Sequence, residues 1–170
     1  MTNLFDNNIV ITFPDITKID FVSISKKYLN VILLNITIYF VIFICSLFIV
    51  TTYYLQDEMM GFKYYLYAGI TILFGFFYVV YAIGFKKRKY AVREKDVSYK
   101  SGILFKQTTS VPFNRVQHIE IDQGPFSRFF KLASLSVYTA GDSSDDLKIK
   151  GILKEDAIKI KEFISTKIDG

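Results

Sequence analysis

The sequence predicts two membrane-spanning α-helices followed by a small barrel or strongly bent sheet of short strands, closed by a C-terminal helix. Three observations carry this. Leu29 to Val50 and Tyr64 to Phe85 are runs of 22 residues without a charged side chain. Between Tyr90 and Gly151, apolar residues alternate over short stretches punctuated by glycine and proline. From Lys154 onward the apolar spacing changes to that of an amphipathic helix.

The chain has 170 residues, 51% hydrophobic and 17% aromatic. That excludes disorder and collagen-like repeats. The one cysteine, Cys45, cannot form an internal disulfide, which excludes a secreted disulfide scaffold.

Residues 1–28 form an N-terminal segment of mixed character. Ile9, Ile11 and Phe13 alternate briefly, and Pro14 breaks the pattern. Ile16, Ile19 and Phe21 are suited to an interface, either as an amphipathic lead-in or as part of a loosely ordered arm.

The first run, 29–50, would be about 33 Å long as a helix. A hydrocarbon core is about 30 Å thick, so the run can cross it. Strand propensity from its β-branched residues is outweighed by length, since strands in soluble proteins usually stop before ten residues. Asn35 and Thr37 lie deep enough to bond to another helix. The second run, 64–85, contains Gly69, Gly75 and Gly84, which membrane helices use for close approach. A soluble remainder of this size could not enclose both helices. A cleaved signal peptide would have a shorter apolar core nearer the N-terminus.

Flanking bases set the expected orientation. Lys18, Lys26 and Lys27 precede the first span, and Lys86, Lys87, Arg88 and Lys89 follow the second. The loop 51–63 holds one base, Lys63, with Asp57 and Glu58. The loop is therefore expected outside, with both termini and the domain 86–170 in the cytoplasm.

Within 86–170, 17 basic and 11 acidic side chains leave a net charge of +6, and the 86–89 cluster supplies four of the bases. The positive charge sits where an anionic leaflet would be, worth on the order of 1 kcal/mol per base. A nucleic-acid partner would need a basic face on the domain itself, which is not apparent.

Strands are expected at Tyr90 to Arg93, Val97 to Tyr99, Ile103 to Phe105 with an extension to Ser110, Arg115 to Asp122, Ser134 to Thr139 and Leu147 to Gly151. Asp96 and Ser101-Gly102 are expected at turns, and Pro112 closes a strand that should not be central. In 115–122, period two places Gln117, Ile119 and Ile121 on one face and Val116, His118, Glu120 and Asp122 on the other. Phe126 to Leu132 reads as a short helix or an irregular segment. Over Lys154 to Ile168, Ala157, Ile160, Phe163, Ile164 and Ile168 form a stripe, with Glu155 and Asp156 early and Lys167 late.

Three ordered pieces are distinctive: Val111-Pro112-Phe113-Asn114-Arg115-Val116-Gln117, then Gln123-Gly124-Pro125-Phe126 with Arg128, then Leu135-Ser136-Val137-Tyr138-Thr139-Ala140-Gly141. Together they resemble the bacterial pleckstrin-homology-like, membrane-flanked (YdbS-like) family, over residues 29–168. The resemblance implies a bacterial cell-membrane protein carrying a pleckstrin-homology-like split β-barrel with a C-terminal helix. It implies no catalytic residue. Lys131 departs from the pattern, standing where relatives often have glycine.

Candidate contacts with lipid or a partner are Lys86, Lys87, Arg88, Lys89, Arg115 and Arg128. Arg115 and Arg128 could bind a lipid phosphate through paired donors, or bond to backbone carbonyls or to Glu120 and Asp122. Gln117 is expected to face the barrel or a neighbouring backbone, and Gly124 and Gly141 to serve turns with demanding dihedrals. His118 is the single histidine, which excludes a multi-histidine metal site, and with Glu120 it makes at most a modest acid–base pair. Asp142, Asp145 and Asp146 lack EF-hand spacing. No metal, cofactor or enzymatic activity is expected. Two spans without an ionisable residue supply no transport path in a monomer, while an oligomer could line a pore with Asn35 and Thr37. The leading expectation is a membrane-anchored scaffold that binds a protein partner or its own copies. The alternative is direct recognition of anionic lipid headgroups.

Overall fold

The computed structural model describes residues 19–53, 60–102, 105–140 and 147–168. In chain order the elements are strand β1 (Val22–Ser23), helices α1 (Lys27–Tyr53) and α2 (Met60–Phe85), and strands β2 (Lys89–Val92), β3 (Asp96–Ser101) and β4 (Gln107–Pro112). A 3-10 turn at Phe113–Arg115 leads to strand β5 (Val116–Asp122) and helix α3 (Pro125–Phe129). Strands β6 (Leu132–Thr139) and β7 (Leu147–Leu153) and helix α4 (Lys154–Ile168) complete the chain.

Helices α1 and α2 contain the two uncharged runs whole. Both are long and apolar enough to cross a membrane, and their most apolar windows are not buried by the rest of the protein. Phe43, Phe48, Ile72 and Phe76 face outward, as suits a hydrocarbon surround. The pair is joined at Phe74, whose ring lies 5.1 Å from that of Phe40 and 6.3 Å from that of Phe43. Thr37 bonds across to the Tyr78 hydroxyl, and Thr51 Oγ1 lies 3.0 Å from the Tyr67 hydroxyl. Among the described residues, Asn35 bonds within its own helix and not across to the other. Its Nδ2 donates to the Val31 carbonyl of its own helix at 2.7 Å, which satisfies the amide locally.

The strands form two antiparallel sheets, β1-β2-β3-β4 and β5-β6-β7. Helix α4 packs on β5, β6 and β7. Val97, Leu135, Val137, Ile149 and Ile164 are wholly buried in one core with Val111, Phe113 and Ile152. Pro112 ends β4 at a sheet edge, where its missing N–H costs no ladder bond. At the β2–β3 turn Asp96 holds the Arg93 guanidinium and accepts from Ser110 Oγ at 2.9 Å.

Three local expectations are corrected. Strand β4 starts at Gln107, leaving Phe105 outside it; Ile103 and Leu104 lie outside the described residues. Gly102 has φ +106°, and a Cβ there would fall 1.7 Å from the Phe105 carbonyl oxygen, which fits the turn expected at Ser101-Gly102. In β5 a bulge between Val116 and His118 breaks the alternation. Val116 and Ile119 are both buried, and Gln117 is exposed instead of facing the barrel. Gly124 has φ −68°, an ordinary value, and caps α3; Gly141 lies outside the described residues.

The segment before α1 is neither lead-in nor arm over residues 19–26. Val22 and Ser23 pair with Tyr90 and Lys89 of β2. Ile24 is 3% exposed within the core, and the Ser25 N–H donates to the Gly151 carbonyl at 2.9 Å. Gly151 has φ +82° and sits at a bulge of β7, with the Tyr28 ring against its Cα.

Candidate functional site

Three residues separate the end of α2 from β2, and they turn tightly. Lys87 N–H donates to the Gly84 carbonyl and Arg88 N–H to that of Phe85, each at 3.1 Å. The turn splits the basic cluster. Lys86, Lys87 and Lys89 line a cavity of about 450 Å3 together with Lys100, Ser101, Gly102 and Lys106. Ile19, Asp20 and Phe21 form its remaining wall. Lys100 Nζ stands 5.8 Å over the Phe21 ring, a cation–π contact that fixes the ammonium at the rim. Five ammonium groups and one carboxylate share this cavity, so its field favours an anion.

Arg88 points elsewhere. Its guanidinium stands 5.9 Å from the centre of the Tyr28 ring, between the base of α1 and β3. The Tyr99 hydroxyl is pushed above its ordinary pKa by burial, which outweighs the opposing charge of Arg88. Burial also raises Tyr90, with the Asp156 carboxylate adding to the effect.

Arg128 belongs to a second basic cavity, of about 460 Å3, with Lys27, Lys131, Lys154, Gln123, Leu153 and Glu155. Gln123 Nε2 donates to the Leu132 carbonyl at 2.7 Å and closes the α3 turn. Lys131 takes φ +56°, so the backbone keeps the conformation a glycine would favour although lysine stands there. Among Phe126, Phe129 and Phe130, the first and last are half-buried and Phe129 is 82% exposed. Arg115 is exposed in the 3-10 turn and lines neither cavity.

The acidic partners expected for these arginines are engaged otherwise. Asp122 lies 3.5 Å from Lys148 Nζ. Glu120 accepts from the Tyr138 hydroxyl at 3.1 Å and lies 3.8 Å from His118 Nε2. His118 stacks on Tyr138, ring centres 4.2 Å apart, and both His118 and Glu120 are about half exposed. His118, Glu120 and Tyr138 form a solvated surface cluster. The acidic turn of Asp142, Asp145 and Asp146 lies outside the described residues.

The structure thus divides the six candidate residues among four places. It adds Lys100 and Lys106 to the cavity beside the membrane, and Lys27, Lys131 and Lys154 to the second. No sequence run marks Lys100 or Lys106: the first lies in β3 and the second just before β4.

A family model described as bacterial PH domain matches residues 30–168. The UPF0699 transmembrane protein YdbS of Bacillus subtilis (strain 168) is 28% identical over 88 residues, covering 52% of this chain. The chain spans about half, 54%, of the length of that relative. A solved structure of a DUF1696 family protein with a pleckstrin-homology domain, from Shewanella loihica PV-4, aligns with TM-score 0.37 and 19% identity. That alignment covers 48% of this chain and 70% of the other.

Proposed function

The chain belongs to the bacterial PH domain family, and from that premise we propose that it is a membrane-anchored, non-enzymatic interaction module whose domain rests on the anionic inner leaflet. The observation that carries this reading is the convergence of Lys86, Lys87, Lys89, Lys100 and Lys106 on one cavity directly after the second span. Each such base near an anionic surface contributes on the order of 1 kcal/mol. Both termini and the domain lie in the cytoplasm on this reading, which the flanking bases favour.

The test uses the full chain reconstituted in vesicles. Hydrogen exchange of β3 and of Lys106–Thr109 should slow when phosphatidylglycerol is included and return when salt is raised. Lys86→Glu with Lys87→Glu should remove the difference. Equal protection in neutral and anionic vesicles would defeat the reading.

One observation favours a second occupant, a protein partner or another copy of the chain. Among the described residues of the domain, Phe129 is left 82% exposed beside the second basic cavity. A photocrosslinker at position 129 in native membranes should capture a protein on the scaffold reading, and only lipid adducts without it.

A further inference from the structure

We infer that the chain holds a single anionic phospholipid, with its headgroup in the lysine cavity and one acyl chain in a groove on α2. The inference rests on the leaflet-facing reading and gives it a specific ligand.

The groove holds about 630 Å3 and is lined on the span by Phe76, Phe77, Val80 and Tyr81, with Phe105 from the β3–β4 connection at its cytoplasmic end. Both the groove and the 450 Å3 lysine cavity fall in the range of about 300–1,000 Å3 usual for small-molecule sites. Four of the groove's walls are aromatic or branched side chains within a membrane span, so its natural filling is hydrocarbon.

The two compartments meet at one residue. Gly102 lines both the groove and the lysine cavity. Its positive φ and the 1.7 Å approach of the Phe105 carbonyl to a notional Cβ make glycine obligatory for the turn. Phe105, 88% exposed, is also among the groove's lining residues. So is Arg88, with its guanidinium held over the Tyr28 ring. An apolar slot inside the span, joined at its interfacial end to a cavity of five ammonium groups, has the chemistry of a phospholipid with an anionic headgroup. Free phosphate would satisfy the cavity and leave the groove unfilled.

The experiment is native mass spectrometry of the full chain in a neutral detergent, with equal amounts of dioleoyl phosphatidylglycerol and dioleoyl phosphatidylcholine. One phosphatidylglycerol per chain should be retained, preferred by about tenfold over phosphatidylcholine. Lys100→Glu with Lys106→Glu should bring the preference to parity. Val80→Trp, which fills the groove, should lower retention of phosphatidylglycerol by about tenfold while circular dichroism shows an unchanged fold. Phe105→Ser, at an exposed position, serves if the tryptophan disturbs the helix. Inorganic phosphate at the lipid's concentration should not displace it.

Equal retention of the two lipids, unchanged retention in both groove variants, or displacement by inorganic phosphate would each overturn the inference. Vesicle protection of the lysine face without any retained lipid would overturn it while leaving the leaflet-facing reading standing.

Discussion

Replacing Gly151 with alanine should loosen the domain from the first membrane helix. Gly151 is in the left-handed region at φ +82°, which costs an L-residue roughly 1–2 kcal/mol. The added Cβ would stand 2.2, 2.5 and 2.7 Å from Tyr28 Cγ, Cδ1 and Cβ. These atoms lie at the root of the side chain, one residue into α1, so they cannot swing aside as a flexible tip would. Overpacking of this kind typically costs roughly 1–3 kcal/mol. Reduced freedom of the unfolded chain returns only about 0.4–1 kcal/mol. The net destabilisation should be about 1.5–4 kcal/mol. For a cooperative unit of this size that lowers Tm by on the order of 10 °C. The assay is thermal unfolding of the full chain in detergent, followed by near-ultraviolet circular dichroism. Tyr28→Ala in the same background removes the clash, so the double variant should lose less than the two single losses added. An alanine variant melting within about 2 °C of the parent, or strict additivity with Tyr28→Ala, would refute the reasoning.

Lys131→Gly should stabilise the fold by up to about 1 kcal/mol, because it relieves a left-handed lysine and gives back part of the gain as chain entropy; a loss in urea unfolding would count against it. Leu135→Ala, at a wholly buried position of β6, should cost about 2–5 kcal/mol in the same measurement. Tyr90 and Tyr99 have folded pKa values raised above 10.0, chiefly by burial, so their stabilising contribution is complete below the ordinary value and is lost as pH rises through the folded values. Stability should therefore fall above about pH 10, and Tyr90→Phe or Tyr99→Phe should flatten that fall.

The parts of the fold legible in the sequence were those whose signal is local and long. Twenty-two uncharged residues leave few alternatives to a membrane span, and the stripe from Ala157 to Ile168 marks α4 by period alone. A two-residue strand carries no period, so β1 was invisible although Ile24 beside it enters the core. Bulges are register events between strands. For that reason the alternation written into 115–122 misplaced Gln117, and nothing marked Gly151 as the residue that accommodates Tyr28. The candidate site was half legible. Lys86, Lys87 and Lys89 stand out as a run, but Lys100 joins them through the pairing of β2 with β3, which sets it opposite Lys89, and Lys106 precedes β4, whose Gln107 pairs with Ser101.

The pairing of β2 with β1 on its other side holds the basic face in a fixed position relative to the two helices. A domain hung from one linker could tilt freely, and its charges would sample the leaflet at random. Here the attachments are two. Only Lys86, Lys87 and Arg88 separate α2 from β2, and β2 is bonded on its other side to β1, which runs into the base of α1. The strand before the first span and the strand after the second therefore lie in one sheet, and the helical pair is stitched at the end that joins the domain. Tyr28 against Gly151, with Arg88 over the same ring, ties the second sheet to that stitch. The lysines that follow α2 thus cannot rotate independently of the spans. Their direction is set by the two helices themselves.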